Sequence, residues 1–178
     1  MNPDRTLVKL AKRGNRAAFG KLVLRYREKI LNLAYDFLGD YESARDVAQD
    51  IFVKSWRNIR EFEERSKFSS WLYRIAINTC LDAQKKIKKH RELPFTDQYL
   101  KSQEPSIIQQ DRTGNIDDEL AAAIMQLSRN QRTAIILRYF HDQSIHDIAE
   151  VIGCSDATVR IHLHRAIQKL DILLTKRK

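Results

Sequence analysis

The chain has 178 residues, 43% of them hydrophobic, and carries 32 Lys and Arg against 23 Asp and Glu, a formal net charge of +9. That apolar content suffices for one packed domain or two small ones. With few glycines and prolines and many helix formers, an all-α fold is expected. The cationic excess points to a polyanion, nucleic acid before membrane: no uncharged run is long enough to span a bilayer and no signal peptide opens the sequence.

Asn2 and Pro3 read as a cap and a first helical residue, and a short helix follows with Leu7, Leu10 and Ala11 inward, ending near Gly14. Asn15 can cap the next helix. Its stripe runs through Phe19, Leu22, Val23, Tyr26, Ile30, Leu33, Ala34 and Phe37 and stops at Gly39. Asp40 can cap a third helix, Tyr41 to Asn58, with Ala44, Val47, Ala48, Ile51 and Ser55 on its core side. Asp46, Gln49 and Asp50 stand together on another side at i, i+3 and i+4, extended by Val53 and flanked by Phe52 and Trp56. An acidic and amide face on a basic protein does not suit phosphate. It suits a basic surface on another protein, with the aromatics as anchors. A solvated face with carboxylates near the helix N-terminus would read the same way.

A charged loop, roughly Arg60 to Ser69, precedes a helix with Leu72, Ile75, Ala76, Thr79 and Cys80 inward. Trp71, Arg74, Asn78 and Lys85 fall on a neighbouring face. Lys67, Phe68, Trp71, Tyr73 and Arg74 interleave charge with aromatic rings. Such a surface can pair phosphates and stack unpaired bases; equally, Phe68 and Trp71 can be core and the lysines a solvated last turn. The four helices are expected to form a small bundle. Residues from Leu93 to Asn115 lose the apolar period and read as a linker. A helix resumes over Ile116 to Met125 with Leu120, Ala123 and Ile124 inward, and Ser128 with Gln131 forms a capping-box pattern opening a helix through Leu137 and Tyr139.

Ser144 to Leu170 reads as a helix, a tight turn at Gly153 and a second helix capped by Ser155. The first carries Ile145, Ile148, Ala149 and Ile152 inward, the second Val159, Leu163, Ala166, Ile167 and Leu170. The second helix presents Thr158, Arg160, His162, His164, Arg165 and Lys169 outward, the charge and shape of a major-groove reader; a helical hairpin in a core would share the stripes but not so cationic a face. Lys176, Arg177 and Lys178 form a basic tail.

No catalytic set and no cofactor motif emerges, so the chain is not expected to be an enzyme or to carry a cofactor. Cys154 with His162 and His164 is the only hint of a metal site, too sparse for a ligand set. Two distant cysteines fit a reduced, cytoplasmic protein. The expected organisation is two small helical domains, 1–91 and 116–178, joined by a linker, 92–115. About 25 linker residues at roughly 3.3–3.6 Å each reach at most about 80–90 Å. DNA elements about 17 base pairs apart lie roughly 58 Å apart, within that reach.

Three stretches in this order resemble the extracytoplasmic-function sigma factors, small bacterial initiation factors with only the second and fourth sigma regions. DVAQDIFVKSWRNI looks like their core-polymerase-binding helix and FSSWLYRIAINTCLD like their promoter-melting helix. LSRNQRTAIILRYFHDQSIHDIAEVIGCSDATVRIHLHRAIQKL looks like their C-terminal domain. The resemblance spans about Leu7 to Leu173.

It implies that Asp46, Gln49, Asp50, Phe52, Val53 and Trp56 face the coiled coil of the β′ clamp of core RNA polymerase, with the β flap as a second contact. The loop from Phe62 to Ser69 would hold a flipped base of the non-template −10 strand. Lys67, Phe68, Ser69, Trp71, Arg74, Asn78 and Lys85 would line the path of the strand and the upstream duplex edge. Arg160, Ile161, His164 and Arg165 would reach −35 bases or phosphates, supported by Ser155, Thr158 and Lys169. The linker would follow the polymerase channel towards the RNA exit, and an anti-sigma factor is the implied regulator. Asp50 stands where the family commonly has Glu, and Asp156-Ala157 where Glu-Gly is frequent. Ala83, Gln84, Lys85 and Lys86 replace a pattern with paired arginines, and Arg160, Ile161 and His162 replace Lys-Ser-Arg. Ile161 can touch a thymine methyl but cannot hydrogen-bond a base. Two other readings differ in class: a helix-turn-helix regulator acting on duplex DNA without recruiting core enzyme, and an RNA-binding adaptor without duplex preference.

Overall fold

Caps and chain-reversing glycines fix where the helices begin and end. In the computed structural model, which describes residues 4–92 and 118–175, the regular elements are all helical. The expected Asn2–Pro3 cap, the linker and the C-terminal basic tail lie outside the described residues.

Helix α1 (Arg5–Lys12) leads to Asn15, whose Oδ1 accepts the Ala18 N–H at 2.9 Å and opens α2 (Arg16–Leu38). Gly39 closes α2 at φ 71°, a left-handed conformation that costs glycine little, and its N–H reaches the Tyr35 carbonyl at 2.8 Å. Asp40 Oδ2 accepts the Ser43 N–H at 2.8 Å and starts α3 (Tyr41–Asn58). A 3₁₀ turn at Ile59–Glu61 and a charged loop then lead to α4 (Phe68–Glu92).

The Asp40 cap predicts a pH effect. Hydrogen bonds from Ser43, side chain first and N–H second, hold the Asp40 carboxyl below its ordinary range. A lowered folded-state pKa contributes stability above the unfolded value and loses it as pH falls through the folded one. Asp40→Ala should therefore cost about 0.5–2 kcal/mol in urea unfolding at neutral pH. The deficit should shrink as the titration is carried down through the acid range.

The second lobe comprises α5 (Asp118–Met125), α6 (Arg129–Ile135), α7 (Ile145–Ile152) and α8 (Asp156–Thr175). The Ser128 N–H donates to Gln131 Oε1 at 3.2 Å, the capping-box contact expected from the sequence. The helix expected to run on through Tyr139 instead widens into a π turn at Ile136–Phe140. The extra residue of that turn accompanies a fully buried Leu137 and a Tyr139 that is 59% exposed. Ser144 Oγ accepts the Asp147 N–H at 3.1 Å, and Ser155 Oγ accepts the Thr158 N–H at 3.2 Å. Between these helices Gly153, at φ 79°, makes the turn.

In the first lobe α2 is the central element, packed against α1, α3 and α4; in the second, α8 packs against α5, α6 and α7. Phe37, Leu22, Ile30, Leu33, Ile51 and Leu72 are among the fully buried side chains of the first, and Ile136, Leu137, Ile148 and Val159 of the second. Packing of α4 on α7 joins the two lobes. Two inward assignments are corrected. Leu10 is 38% exposed and Val8 takes its place, because α1 turns a neighbouring edge to α2; Ile167 is 48% exposed because Ala166 holds the inward position.

Cys80 is buried, and burial pushes its thiol up to about 12. Cys154 is half-buried, its thiol raised by burial first and by Asp156 second. Among the described residues no cluster of three or more metal-ligating side chains forms, and no helix is long and apolar enough to cross a membrane.

Candidate functional surfaces

The α3 surface follows directly from helical spacing. Asp46, Gln49, Asp50 and Val53 are exposed along one side, while Ala44, Ala48, Ile51 and Ser55 are buried on the other. The Ser55 hydroxyl donates to the Phe52 carbonyl at 3.0 Å, so its burial leaves no donor unmet. Phe52 and Trp56 are half-buried, and the Trp56 ring lies 5.0 Å from Phe19 of α2. Trp56 is thereby anchored to the core at one face. The ridge presents two carboxylates, an amide and an apolar methyl pair to the outside.

The second surface gathers around an aromatic cluster. Phe62 lies 5.1 Å from Trp71, Phe68 lies 5.7 Å from Trp71, and Tyr26 meets Phe68 edge-on at 5.6 Å. Phe62 and Phe68 are only 5% and 3% exposed, so they form a floor and cannot themselves stack on a base. Half-buried Trp71 is the ring with an open edge.

Beside this floor Asp4, Arg5, Val8, Phe62, Glu64, Ser66 and Phe68 line an open cleft of about 260 Å³. Glu64 sits at φ 57°, unusual for a residue with a side chain, and its carboxylate lies 4.0 Å from both Arg5 and Lys12. Lys12 Nζ also donates to the Phe62 carbonyl at 2.5 Å, tying α1 to the loop. Asp4 accepts from Arg25 and from the Tyr26 hydroxyl; burial, then that bond, pushes the Tyr26 hydroxyl well above its ordinary range.

Along α4, Lys67, Arg74, Asn78 and Lys85 are exposed and Ser69 is half-buried. Three of them are already engaged by the second lobe. Lys67 Nζ donates to Asp147 Oδ1 at 2.7 Å, the Arg74 guanidinium donates to the Glu150 carbonyl, and Asn78 Oδ1 accepts from Arg129 at 2.6 Å. Lys85 pairs within its own helix, 3.7 Å from Asp82. Deeper between the lobes, His141 Nε2 meets Asp36 Oδ2 at 2.8 Å, the side chains 5% and 4% exposed, with Tyr73 against the imidazole. Arg132 donates to Gln84 Oε1 at 2.9 Å, and the Gln84 amide donates to the Phe37 carbonyl.

On α8 the outward side chains Arg160, Ile161, His164 and Arg165 are exposed, with Ile161 at 50%. Ser155 and Thr158 share a bond at 2.9 Å, so both hydroxyls are occupied in shaping the helix start. Lys169 Nζ donates to the Gln126 carbonyl at 2.6 Å, tying α8 to the turn after α5.

Sequence reasoning did not single out Asp36, Arg129, His141, Asp147 or Glu150. One signal was available. Asp147 and Glu150 lie one turn apart on the first helix of a supposed DNA reader, where carboxylates would repel phosphate.

Comparison with known proteins supplies the context. The family described as Sigma-70 region 2 matches residues 22–90, and that described as Sigma-70, region 4 matches residues 117–170. The RNA polymerase sigma-H factor of Pseudomonas aeruginosa is 37% identical over 179 residues, covering 94% of this chain and 92% of that protein. The ECF RNA polymerase sigma factor SigW of Bacillus subtilis is 31% identical over 172 residues, covering 92% of each. Among solved structures, CnrH in complex with the cytosolic domain of CnrY aligns over 98% of this chain and 99% of its own, at 26% identity and a TM-score of 0.71. That likeness corrects the expected label "cytoplasmic". A partner that contributes a cytosolic domain has other parts as well, so an unqualified cytoplasmic assignment does not stand.

Proposed function

Because this chain belongs to the extracytoplasmic-function group of the sigma-70 family of RNA polymerase sigma factors, we propose that its three surfaces divide promoter-directed initiation among them. It is a sigma factor: it binds core RNA polymerase and promoter DNA, and it is not an enzyme, the catalytic centre being the polymerase's. Core polymerase and an anti-sigma factor are its partners, the second supported by the whole-chain likeness to CnrH.

In finer detail, the α3 ridge of Asp46, Gln49, Asp50 and Val53, with Phe52 and Trp56 behind it, docks on the coiled coil of the β′ clamp, and the second lobe reaches the β flap. The cleft beside Phe62 and Phe68 receives a flipped base of the non-template −10 strand; those two rings serve as its floor, while Lys67, Ser69, Trp71, Arg74, Asn78 and Lys85 follow the strand. Arg160, Ile161, His164 and Arg165 read the −35 element, with Ser155, Thr158 and Lys169 setting the helix in place. The functional division is 1–91 for polymerase and −10 contacts, 92–115 as linker, and 116–178 for the −35 element; the matched ranges 22–90 and 117–170 support it.

The observation that carries this reading is the exposed acidic ridge of α3 on a chain of net charge +9. The experiment is reconstituted transcription with core polymerase followed by mapping of start sites. Initiation at one class of promoter supports the reading, and a footprint confined to a short duplex site without an opened region refutes it. On such promoters Arg160→Ala should weaken −35 recognition by about 1–3 kcal/mol, the cost of a lost base contact. An equal loss on every sequence, measured by competition with mutated −35 duplexes, would reduce Arg160 to a phosphate contact.

A further inference from the structure

We propose that Glu64 is the specificity-determining residue of the cleft beside Phe62 and Phe68: it selects a flipped base that carries an exocyclic amine and rejects thymine. This rests on the reading of the cleft as the pocket for the flipped base. Two segments line it. Asp4, Arg5 and Val8 come from the start of α1, ahead of residue 22 where the Sigma-70 region 2 match begins; Glu64 and Ser66 come from the loop before α4.

The two carboxylates of the cleft are not equivalent. The Asp4 side chain is 7% exposed, and both its oxygens are occupied, Oδ1 by Arg25 and Oδ2 by the Tyr26 hydroxyl at 2.5 Å. It holds the wall and has little left for a ligand. The Glu64 side chain is 31% exposed, and Arg5 and Lys12 each stand 4.0 Å from its carboxylate. That is near enough to offset its charge and beyond hydrogen-bonding distance. Lys12 is held back by its bond to the Phe62 carbonyl at 2.5 Å. Glu64 also sits at φ 57°, a left-handed conformation that a residue with a side chain adopts only at a cost. Such strain gathers at ligand-binding sites.

A carboxylate can only accept hydrogen bonds. An unstacked base is read at its Watson–Crick edge, and there cytosine, adenine and guanine each offer an exocyclic amine. Thymine offers none. Its edge runs carbonyl, N3–H, carbonyl, so a carboxylate facing N3–H meets two oxygens that repel it. The other groups of the cleft do not discriminate in this way. The buried rings of Phe62 and Phe68 offer apolar surface to any base, and the Ser66 hydroxyl can donate or accept. The charge of Glu64 also keeps backbone phosphate out of the cleft. The base edge enters, and the phosphate stays at the rim, where the Arg5 side chain is 70% exposed.

The test uses holoenzyme reconstituted from the full chain and core polymerase, with promoter duplexes pre-opened over the −10 element. Each non-template position there is varied through the four bases and an abasic sugar, and binding is measured by competition. At one position the native holoenzyme should hold each amine-bearing base about tenfold more tightly than thymine, the discrimination of one good base contact. An abasic sugar at that position should weaken binding as well. Glu64→Gln adds an N–H donor that thymine O4 can accept, so it should raise thymine relative to the other bases at that position and at no other. General loss of structure would not reorder the bases in this way. Glu64→Gly, which suits the left-handed backbone, should level the four bases there. If an abasic sugar is costly but thymine is held as tightly as the other bases throughout, or if neither Glu64 variant raises thymine, Glu64 is not the selector and the pocket alone stands. If no abasic sugar weakens binding, the pocket and its selector fall together.

Discussion

Reversing Asp46 and Asp50 to arginine is expected to weaken binding to core RNA polymerase by about a hundredfold or more, because like charges set against each other at an interface cost several kcal/mol. Both side chains are exposed and one turn apart on α3, on the side opposite Ala44, Ala48 and Ile51. The double substitution therefore leaves the buried stripe untouched. Helix content by circular dichroism and binding to a −35 duplex should be unchanged, while co-purification with core enzyme is lost. Undiminished core affinity would place the polymerase contact on another face.

Phe37→Ala is expected to cost about 3–5 kcal/mol in urea unfolding, the loss of a large ring plus the cavity it leaves. Phe37 is 0% exposed in the last turn of α2, two residues before Gly39. Its carbonyl also receives the Gln84 amide of α4, which Arg132 of the second lobe holds in turn. A deficit under about 1 kcal/mol would mean the site collapses around the missing ring, contrary to its tight enclosure.

Local chemistry explains what could be read in advance. A cap and a stripe involve residues within a few positions of one another, so Asn15, Asp40, Ser144 and Ser155 were legible as helix starts, and the long stripe of α2 was legible as core. Short helices were less so. In α1 the inward edge differs by one position in either direction, and choosing Val8 over Leu10 needed the angle at which α1 meets α2. The π turn after α6 was invisible because nothing in Ile136–Phe140 marks a break.

The surfaces divide along the same line. The acidic ridge and the cationic α8 face are each carried by one helix and showed in the spacing. Burial of Phe62 and Phe68 depends on Tyr26 and Trp71 arriving from α2 and α4. The contacts of Asp36 with His141 and of Lys67 with Asp147 join residues 105 and 80 positions apart, beyond any periodic signal.

The enclosure of Cys80 also decides how this chain meets oxidants. Burial pushes its thiol well above the ordinary range and so disfavours the thiolate at neutral pH, and it is the thiolate that peroxides and maleimides attack. Sulfenate formation at Cys80 is thus closed off while the first lobe stays folded. Half-buried Cys154 is the sulfur that alkylating reagents should mark first, and slow modification of Cys80 becomes a clock for unfolding of the first lobe.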